Sequence, residues 1–239
     1  MRPVLNGPDG NDASIFSSRK QCLGFNMAEI TGLLSTRSGK KVNVYLDGTF
    51  AFAVNTEVSI VQGIHIGDIL SEDQIRTLKQ EDIFHNCIDA ALRFLQYRPR
   101  SKLEIRRRLR SRGYSGAVTD RAMAYLVQKG YIDDAAFTRF WIENRVAFSP
   151  RSGRMIKHEL LQKGVDSETI ENIVDGIDDY GNAYRAGLKK SRALITSDYE
   201  QFKHRMYDHL RTLGFDYETI LQTVERLWQE RDDSIEESI

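Results

Sequence analysis

The chain has 239 residues, of which 41% are hydrophobic, so it is long enough for one large domain or several small domains with packed cores. Its 34 Lys and Arg residues balance its 34 Asp and Glu residues. No run approaches the roughly 18 consecutive apolar residues of a membrane-spanning helix, so the sequence predicts no association with a membrane.

The first 26 residues combine Gly, Asn, Asp, Ser and Arg without an apolar stretch. A signal peptide requires such a stretch, so residues 1–26 are predicted to be a flexible tail. Cys22 lies in this segment and Cys87 in an apolar helical pattern, and the two form no Cys-x-x-Cys motif. They are interpreted as reduced thiols of a cytoplasmic protein.

Residues 27–82 are predicted to form a small β-rich domain. The period of two gives four β-prone runs: 30–35, 42–46, 49–54 and 64–70. The central two are joined by Asp47-Gly48, a strong hairpin signal because both turn residues must accept a positive φ. Three or four such strands indicate a small barrel or a curled sheet.

A capping box at Ser71 and Gln74 marks the exit from this domain. The Ser71 side chain can bind the Gln74 backbone N–H, while the Gln74 side chain reaches back. This motif predicts a helix over residues 73–79. Nearly all of the following chain has helical periodicity.

A repeat follows, marked by Gly113, Gly164 and Gly214, which lie 51 and 50 residues apart. Apolar residues stand four and eight positions before each glycine, on one face of a predicted helix. The glycine ends that helix in the left-handed conformation. A polar residue two positions later is placed to cap the next helix: Ser115, Asp166 and Asp216.

A further helix precedes each glycine-ended helix, at 87–96, 135–146 and 184–194, so each unit contains three short helices. The predicted fold class is mainly α with a small β-rich N-terminal domain, and the three tandem three-helix repeats are expected to form an elongated, curved array. The predicted domains are a flexible tail at 1–26, the β-rich domain at 27–82, repeat 1 at 83–132, repeat 2 at 133–178, repeat 3 at 179–230 and an acidic tail at 231–239.

The sequence contains no recognisable catalytic or metal-binding motif. Its five histidines form no His-Glu-x-x-His motif, and it has neither a phosphate-binding glycine loop nor a Gly-x-Ser-x-Gly nucleophile motif. Asp133-Asp134 and Asp178-Asp179 look like paired carboxylates, but their place before predicted helices favours N-cap roles. We therefore predict a non-enzymatic binding protein that needs no cofactor or metal.

Positive charge is concentrated in one unit. Residues 85–132 carry 11 basic and 3 acidic residues, a net charge of +8, whereas the other segments are mildly acidic. A capping box at Ser101 and Glu104 predicts a helix that buries Ile105 and Leu109 and spreads its arginines over the remaining surface. The alternative is a solvated helix face, but the uneven charge favours a surface that binds phosphates or an acidic protein.

A second basic stretch follows Pro150, at the corresponding place in repeat 2. The residues predicted to bind a partner or DNA are Arg98, Arg100, Lys102, Arg106, Arg107, Arg110, Arg151, Arg154 and Lys157. By contrast, Leu109, Leu160, Gly113 and Gly164 are expected to matter for folding alone.

Three segments resemble the RecX family of recombination regulators: Tyr97-Arg98-Pro99-Arg100-Ser101 with Gly113-Tyr114, Gly130-Tyr131-Ile132-Asp133-Asp134, and Pro150-Arg151-Ser152-Gly153 with Lys163-Gly164. The resemblance covers residues 85–230. Repeat 3 matches most loosely, and the β-rich domain is not part of the common core of the family.

This resemblance implies a cytoplasmic bacterial protein that binds the RecA recombinase. Members of the family are expected to lie in the helical groove of the RecA–DNA filament and to inhibit ATP hydrolysis and strand exchange. The implied role is modulation of homologous recombination, DNA repair and the SOS response. We expect a monomer.

Two other functions remain open from the residues alone. Three-helix units with a basic helix also describe helix-turn-helix proteins that bind DNA directly. Tandem repeats also describe a scaffold for a different partner. A DNA reader should prefer particular duplex sites, whereas a filament regulator should need the recombinase.

Overall fold

The computed structural model of the protein describes residues 27–174 and 176–236, so the predicted tail at 1–26 lies outside the described residues. The chain forms two compact units, Met1–Ala90 and Ala91–Ile239. The fold is 64% helical with one small antiparallel sheet near the N-terminus. The prediction of a mainly α fold with a β-rich N-terminal domain is confirmed.

An antiparallel sheet of order β3-β2-β1-β4 organises the first unit. Its strands are β1 Met27–Ser35, β2 Lys41–Leu46, β3 Thr49–Asn55 and β4 Ile69–Ser71. The β2–β3 hairpin turns at Asp47 and Gly48, whose φ values of 48° and 82° are both positive, as predicted. Ile30, Val44 and Val54 are fully buried in the core that the sheet covers.

Two features of this unit differ from the sequence prediction. Helix α1, Thr56–Val61, has no counterpart in the prediction. The side chain of Asn55, the residue before it, caps its N-terminus. The strand predicted at 64–70 is shorter, Ile69–Ser71, and a turn at Gly67, with a φ of 95°, precedes it. A period-two pattern does not reveal where such a turn interrupts a strand.

A single helix, α2 (Glu72–Leu95), replaces the two short helices predicted for this segment. It begins at the predicted capping box, in which the Gln74 backbone N–H donates to Ser71 Oγ at 3.3 Å and the Ser71 N–H donates to Gln74 Oε1 at 2.8 Å. No glycine or proline interrupts it, so the domain boundary predicted at 82–83 lies inside the helix. Burial raises the pKa of the Cys87 thiol in this helix to about 11.

The second unit contains the end of α2 and eight further helices among the described residues. They are α3 Lys102–Ser111, α4 Gly116–Gln128, α5 Asp134–Phe148, α6 Gly153–Gln162, α7 Ser167–Val174, α8 Asp179–Ser191, α9 Tyr199–Thr212 and α10 Tyr217–Glu236. A short 3-10 helix, Arg192–Leu194, follows α8. With the end of α2, these helices form three successive sets of three, and the predicted three-helix repeats are confirmed.

The last helix is longer than predicted. Helix α10 continues to Glu236, so most of the acidic tail predicted at 231–239 is helical, and residues 237–239 lie outside the described residues. No glycine or proline is present to end the helix at residue 230.

The middle helix of each repeat (α3, α6 and α9) follows the predicted pattern. Its apolar pair is fully buried in every case: Ile105 and Leu109, Ile156 and Leu160, and Met206 and Leu210. The glycine after each helix has a positive φ, of 88°, 77° and 90° in chain order. The predicted caps of the next helices also form, because Ser115, Asp166 and Asp216 each accept a hydrogen bond from the backbone N–H three residues later.

The junction between repeats 1 and 2 buries the N-terminus of α3. The Ser101 hydroxyl, at the N-cap of α3, donates to the carbonyl oxygen of Lys163 at the end of α6, at 2.7 Å. The Lys102 backbone N–H donates to Asp134 Oδ1 at 2.9 Å. Repeat 2 therefore supplies acceptors on both sides of the α3 N-terminus.

The junction between repeats 2 and 3 repeats this arrangement. The Gly153 N–H, at the start of α6, donates to Asp179 Oδ1 at 2.7 Å. The Ser152 N–H donates to the carbonyl oxygen of Leu213 at the end of α9, at 3.2 Å. In both junctions, the following repeat provides an aspartate and the glycine-ended terminus of its middle helix.

The two ends of the series differ from the junctions. A Cβ built on Gly113 would meet no described atom within 4 Å, whereas one built on Gly164 would lie 2.7 Å from Leu103 Cβ. Gly164 thus has a packing role in addition to its positive φ.

At the N-cap of α9, Asp198 takes the place of the serine, and it accepts from the Gln201 N–H at 2.8 Å.

We predict that Gly164→Ala destabilises the protein more than Gly113→Ala. Both substitutions place a Cβ in the left-handed region, which costs about 1–2 kcal/mol. Only Gly164→Ala also overpacks a junction, which adds about 1–3 kcal/mol. The measurement is the free energy of unfolding in urea, followed by far-UV circular dichroism, and equal losses in the two variants would show that the junction accommodates the methyl group.

Candidate functional site

Helix α3 carries the predicted basic surface. Its capping box forms as predicted, since the Glu104 N–H donates to Ser101 Oγ at 3.2 Å and the Ser101 N–H donates to the Glu104 carboxylate. Ile105 and Leu109 are fully buried. These contacts fix the orientation of the helix, so Arg107 and Arg110 lie on its exposed side.

Glu104 is also the centre of an internal ion-pair network. Arg98 donates to its two carboxylate oxygens at 3.2 and 3.1 Å, and Lys163 Nζ donates at 2.9 Å. Burial by itself raises the pKa of Glu104, but the hydrogen bonds from Arg98 and Lys163 outweigh it and hold this pKa below its ordinary value. Because Lys163 belongs to repeat 2, the network also fastens the first junction.

Glu159 has the same central place in repeat 2. Its carboxylate accepts from Trp141 Nε1 at 2.8 Å and from Arg145 Nε at 2.7 Å, and Arg151 lies 3.0 Å away. The Glu159 side chain is only 13% exposed. Arg151, predicted to bind a partner, is therefore held by an internal carboxylate.

Four other predicted residues also have intramolecular partners. They are Lys102 with Asp134 at 3.5 Å, Arg106 with Asp120 at 3.3 Å, Arg154 with the carbonyl oxygen of Gly214 at 3.1 Å, and Lys157 with Glu171 at 3.0 Å. Arg106 and Asp120 are both largely exposed, and such a surface pair contributes only about 0–1 kcal/mol. An incoming acidic group can therefore replace Asp120 at little cost.

Arg100 stacks on an aromatic ring. Its guanidinium carbon lies 4.0 Å from the ring centre of Phe94, and that of Arg108 lies 5.6 Å from the same ring. The Nε atom of Arg100 is buried without a hydrogen-bond partner. Burial and the nearby charges of Arg98 and Arg108 lower the pKa of Arg100 from its ordinary value.

Arg107 and Arg110 are the predicted residues without an internal side-chain contact. Both are exposed, and within the described part of the chain neither side chain has a hydrogen bond, an ion pair or an aromatic contact. At 100° per residue, Arg107 lies opposite the buried stripe of α3, with Arg110 and Arg106 beside it. We call Arg106, Arg107 and Arg110 the basic face. The role of the nine predicted residues in binding a partner stays a prediction.

The two members of each aspartate pair have different hydrogen-bond partners, which the sequence did not indicate. Asp133 and Asp178 cap their own helices, as predicted, accepting from the N–H groups of Ala135 and Gly181 at 2.8 Å each. The second member of each pair instead binds the preceding repeat. For Asp179, burial raises the pKa above its usual range.

The described residues contain no group of three or more His, Cys, Asp and Glu side chains placed to hold a metal ion, and no helix among them is long and apolar enough to cross a membrane. A cleft of about 430 Å³ lies beside the first junction, lined by Arg98, Arg100 and the exposed rings of Tyr97 and Tyr131. The cleft thus combines exposed aromatic rings with partly buried guanidinium groups, side chains that are enriched in protein interfaces.

The fold and its junctions define a protein of tandem three-helix repeats. Family models described as the first and second three-helix domains of RecX match residues 87–126 and 133–172. The regulatory protein RecX of Clostridium botulinum is 26% identical over 204 residues, covering 83% of this chain and 95% of the relative. That of Clostridium perfringens is 27% identical over 207 residues, covering 84% and 97%. These matches support the RecX family for this chain.

Two crystal structures have the same fold. A structure of regulatory protein RecX superposes with a TM-score of 0.68 at 21% identity, covering 83% of this chain and 99% of that chain. RecX from Lactobacillus salivarius superposes with a TM-score of 0.53 at 21% identity, covering 62% and 97%. The family resemblance inferred from the three motifs is confirmed.

We predict that Glu104→Gln destabilises the protein in a pH-dependent way. A carboxyl group with a lowered pKa in the folded state stabilises it above its ordinary pKa, about 4.3, and this stabilisation is lost as the pH falls through the folded value. The free energy of unfolding of the wild type should exceed that of the variant by about 2 kcal/mol at pH 7 and by much less at pH 3.

The measurement is urea unfolding at both pH values, with Glu143→Gln, which changes an exposed glutamate, as the control. A difference between wild type and Glu104→Gln that is the same at pH 3 and pH 7 would contradict the proposed strength of this network.

Proposed function

We propose that this protein regulates homologous recombination and DNA repair by binding the RecA recombinase and its filament on DNA. Bound to the filament, it inhibits ATP hydrolysis and strand exchange. The proposal places it in the bacterial cytoplasm as a monomer that acts without a cofactor. Its similarity to curated relatives that are named regulatory proteins supports this role.

The basic face carries the proposal. Two exposed guanidiniums, those of Arg107 and Arg110, lie on helix α3. The N-terminus of this helix is hydrogen-bonded to repeat 2, and its apolar stripe is buried in the core of repeat 1. Like charges three or four residues apart destabilise a helix by a few tenths of a kcal/mol per pair. That cost is offset when the arginines bind carboxylates or phosphates, which guanidinium groups recognise through two parallel hydrogen bonds.

Inhibition needs only a difference in affinity between filament states. A protein that binds one arrangement of neighbouring recombinase subunits more tightly than another shifts the filament towards the first. Contacts from a rigid helical unit suit this role, because the unit spans a fixed distance and resists the rearrangement that each catalytic cycle requires.

The alternative of a helix-turn-helix DNA reader fits the contacts of α3 less well. Such proteins contact base edges with the N-terminal residues of the recognition helix. Here that end is engaged by repeat 2 through Lys163 and Asp134. The remaining exposed arginines suit phosphates or an acidic protein surface rather than a base sequence.

We predict that the double variant Arg107→Glu/Arg110→Glu loses inhibition of RecA ATP hydrolysis. The concentration needed for half-inhibition should rise at least about tenfold, or ~1.4 kcal/mol, with unchanged helicity. The matched control is Arg192→Glu/Arg205→Glu, which makes the same change of charge in repeat 3. Unchanged inhibition by the first variant, or an equal loss in the control, would remove the basic face from the proposed interface.

We also predict that inhibition weakens steeply as salt concentration rises. Exposed charges are screened within about 10 Å at 0.1 M salt, so an interface built on arginines loses affinity with added salt. The measurement is a titration of preformed RecA filaments at several salt concentrations, and the double variant should show a shallower dependence. A parallel titration of single-stranded DNA alone reveals whether the recombinase is required.

A further inference from the structure

Repeats 1 and 2 carry different residues at one set of corresponding positions. An offset of 51 residues aligns the starts of the middle helices, Lys102 and Gly153. The same offset pairs Arg100 with Arg151 and Phe94 with Arg145, and it places Arg108 where repeat 2 has Glu159. Repeat 1 therefore has an additional cation at the position of a central carboxylate.

The carboxylate has a clear role in repeat 2. Glu159 neutralises Arg145 and Arg151, and it also accepts the indole N–H of Trp141. All three donors lie within 3.0 Å of it. Guanidinium groups this close to each other and partly buried require such an acceptor, because desolvated charges are costly without a partner.

Repeat 1 keeps one cation of this arrangement, Arg100, and has a second arginine, Arg108, at the position of the acceptor. Arg100 and Arg108 lie over the Phe94 ring, and among the described residues neither has an ion pair or a hydrogen bond to an acidic side chain. The nearby carboxylate, Glu104, is already bound by Arg98 and by Lys163 of repeat 2. An aromatic ring attracts cations, but less strongly than a carboxylate does in a partly buried place.

We propose that Arg100 and Arg108, beside Phe94, form a binding site for a carboxylate side chain of the partner protein. The aspartate or glutamate of the partner would take the place that Glu159 has in repeat 2. The flat Phe94 ring keeps the Arg100 guanidinium in one orientation, so little side-chain freedom is lost when the carboxylate binds. The identity of the partner rests on the proposed function, whereas the missing acceptor does not.

The variant Arg108→Glu tests the site, because it supplies the missing carboxylate from within the chain. Its melting temperature should rise by about 3 °C, as Arg100 gains an internal partner. Its affinity for RecA filaments should fall at least about tenfold, because the site is then occupied. The matched control is Arg112→Glu, with the same change of charge at the end of the same helix and no contact with Phe94. It should not raise the melting temperature, because a carboxylate at the C-terminus of a helix opposes the helix dipole, and it should weaken binding less.

The possible results separate this site from the proposed function. A lower melting temperature for Arg108→Glu, or equal losses of binding in both variants, would overturn the site. Equal weakening of binding to single-stranded DNA without RecA would assign the site to phosphate and overturn the carboxylate. If the wild type does not bind filaments at all, the proposed function fails, while a raised melting temperature of Arg108→Glu still supports the missing acceptor.

Discussion

The first backbone N–H groups of a helix have no acceptor within the helix, and burying them without partners is costly. In this protein the middle helices of repeats 1 and 2 bury that end against the following repeat, which supplies Asp134 and Asp179 as acceptors. A repeat therefore completes the hydrogen bonding of the one before it. The direction of α3, and with it the position of the basic face, depends on a carboxylate from another repeat.

The arginines also differ in whether they have partners within the protein. Arg98 and Arg151 lie in internal ion-pair networks centred on Glu104 and Glu159. Arg107 and Arg110 have no such role among the described residues. The +8 charge of repeat 1 thus has three physically distinct parts. Arg98 is paired with a carboxylate, Arg107 and Arg110 are exposed without one, and Arg100 stacks on Phe94 with its Nε buried and unpaired.

Local patterns explain what the sequence could predict. Helix ends, caps and buried stripes follow from residues within a few positions of each other, as at Gly113 with Leu109. The partners of Asp134 and Asp179 lie 32 and 26 residues away, so no periodicity indicates them. The pairing of Arg151 with Glu159 is closer in sequence, but it joins a residue before α6 to one within it, so the spacing of a single helix does not indicate it either. Much of the family motif, however, consists of junction residues, which is why a resemblance carried information that spacing alone did not.

The difference between Ser101 and Asp198 gives the series of repeats a polarity. A serine hydroxyl accepts a hydrogen bond from its own helix and donates another to a carbonyl oxygen of the next repeat, whereas an ionised carboxylate can only accept. Asp198 caps its own helix by accepting alone. A middle helix that begins with such a cap cannot be joined to a neighbour through a side-chain donor, as Ser101 joins repeat 1 to repeat 2, so the three repeats are not interchangeable along the series.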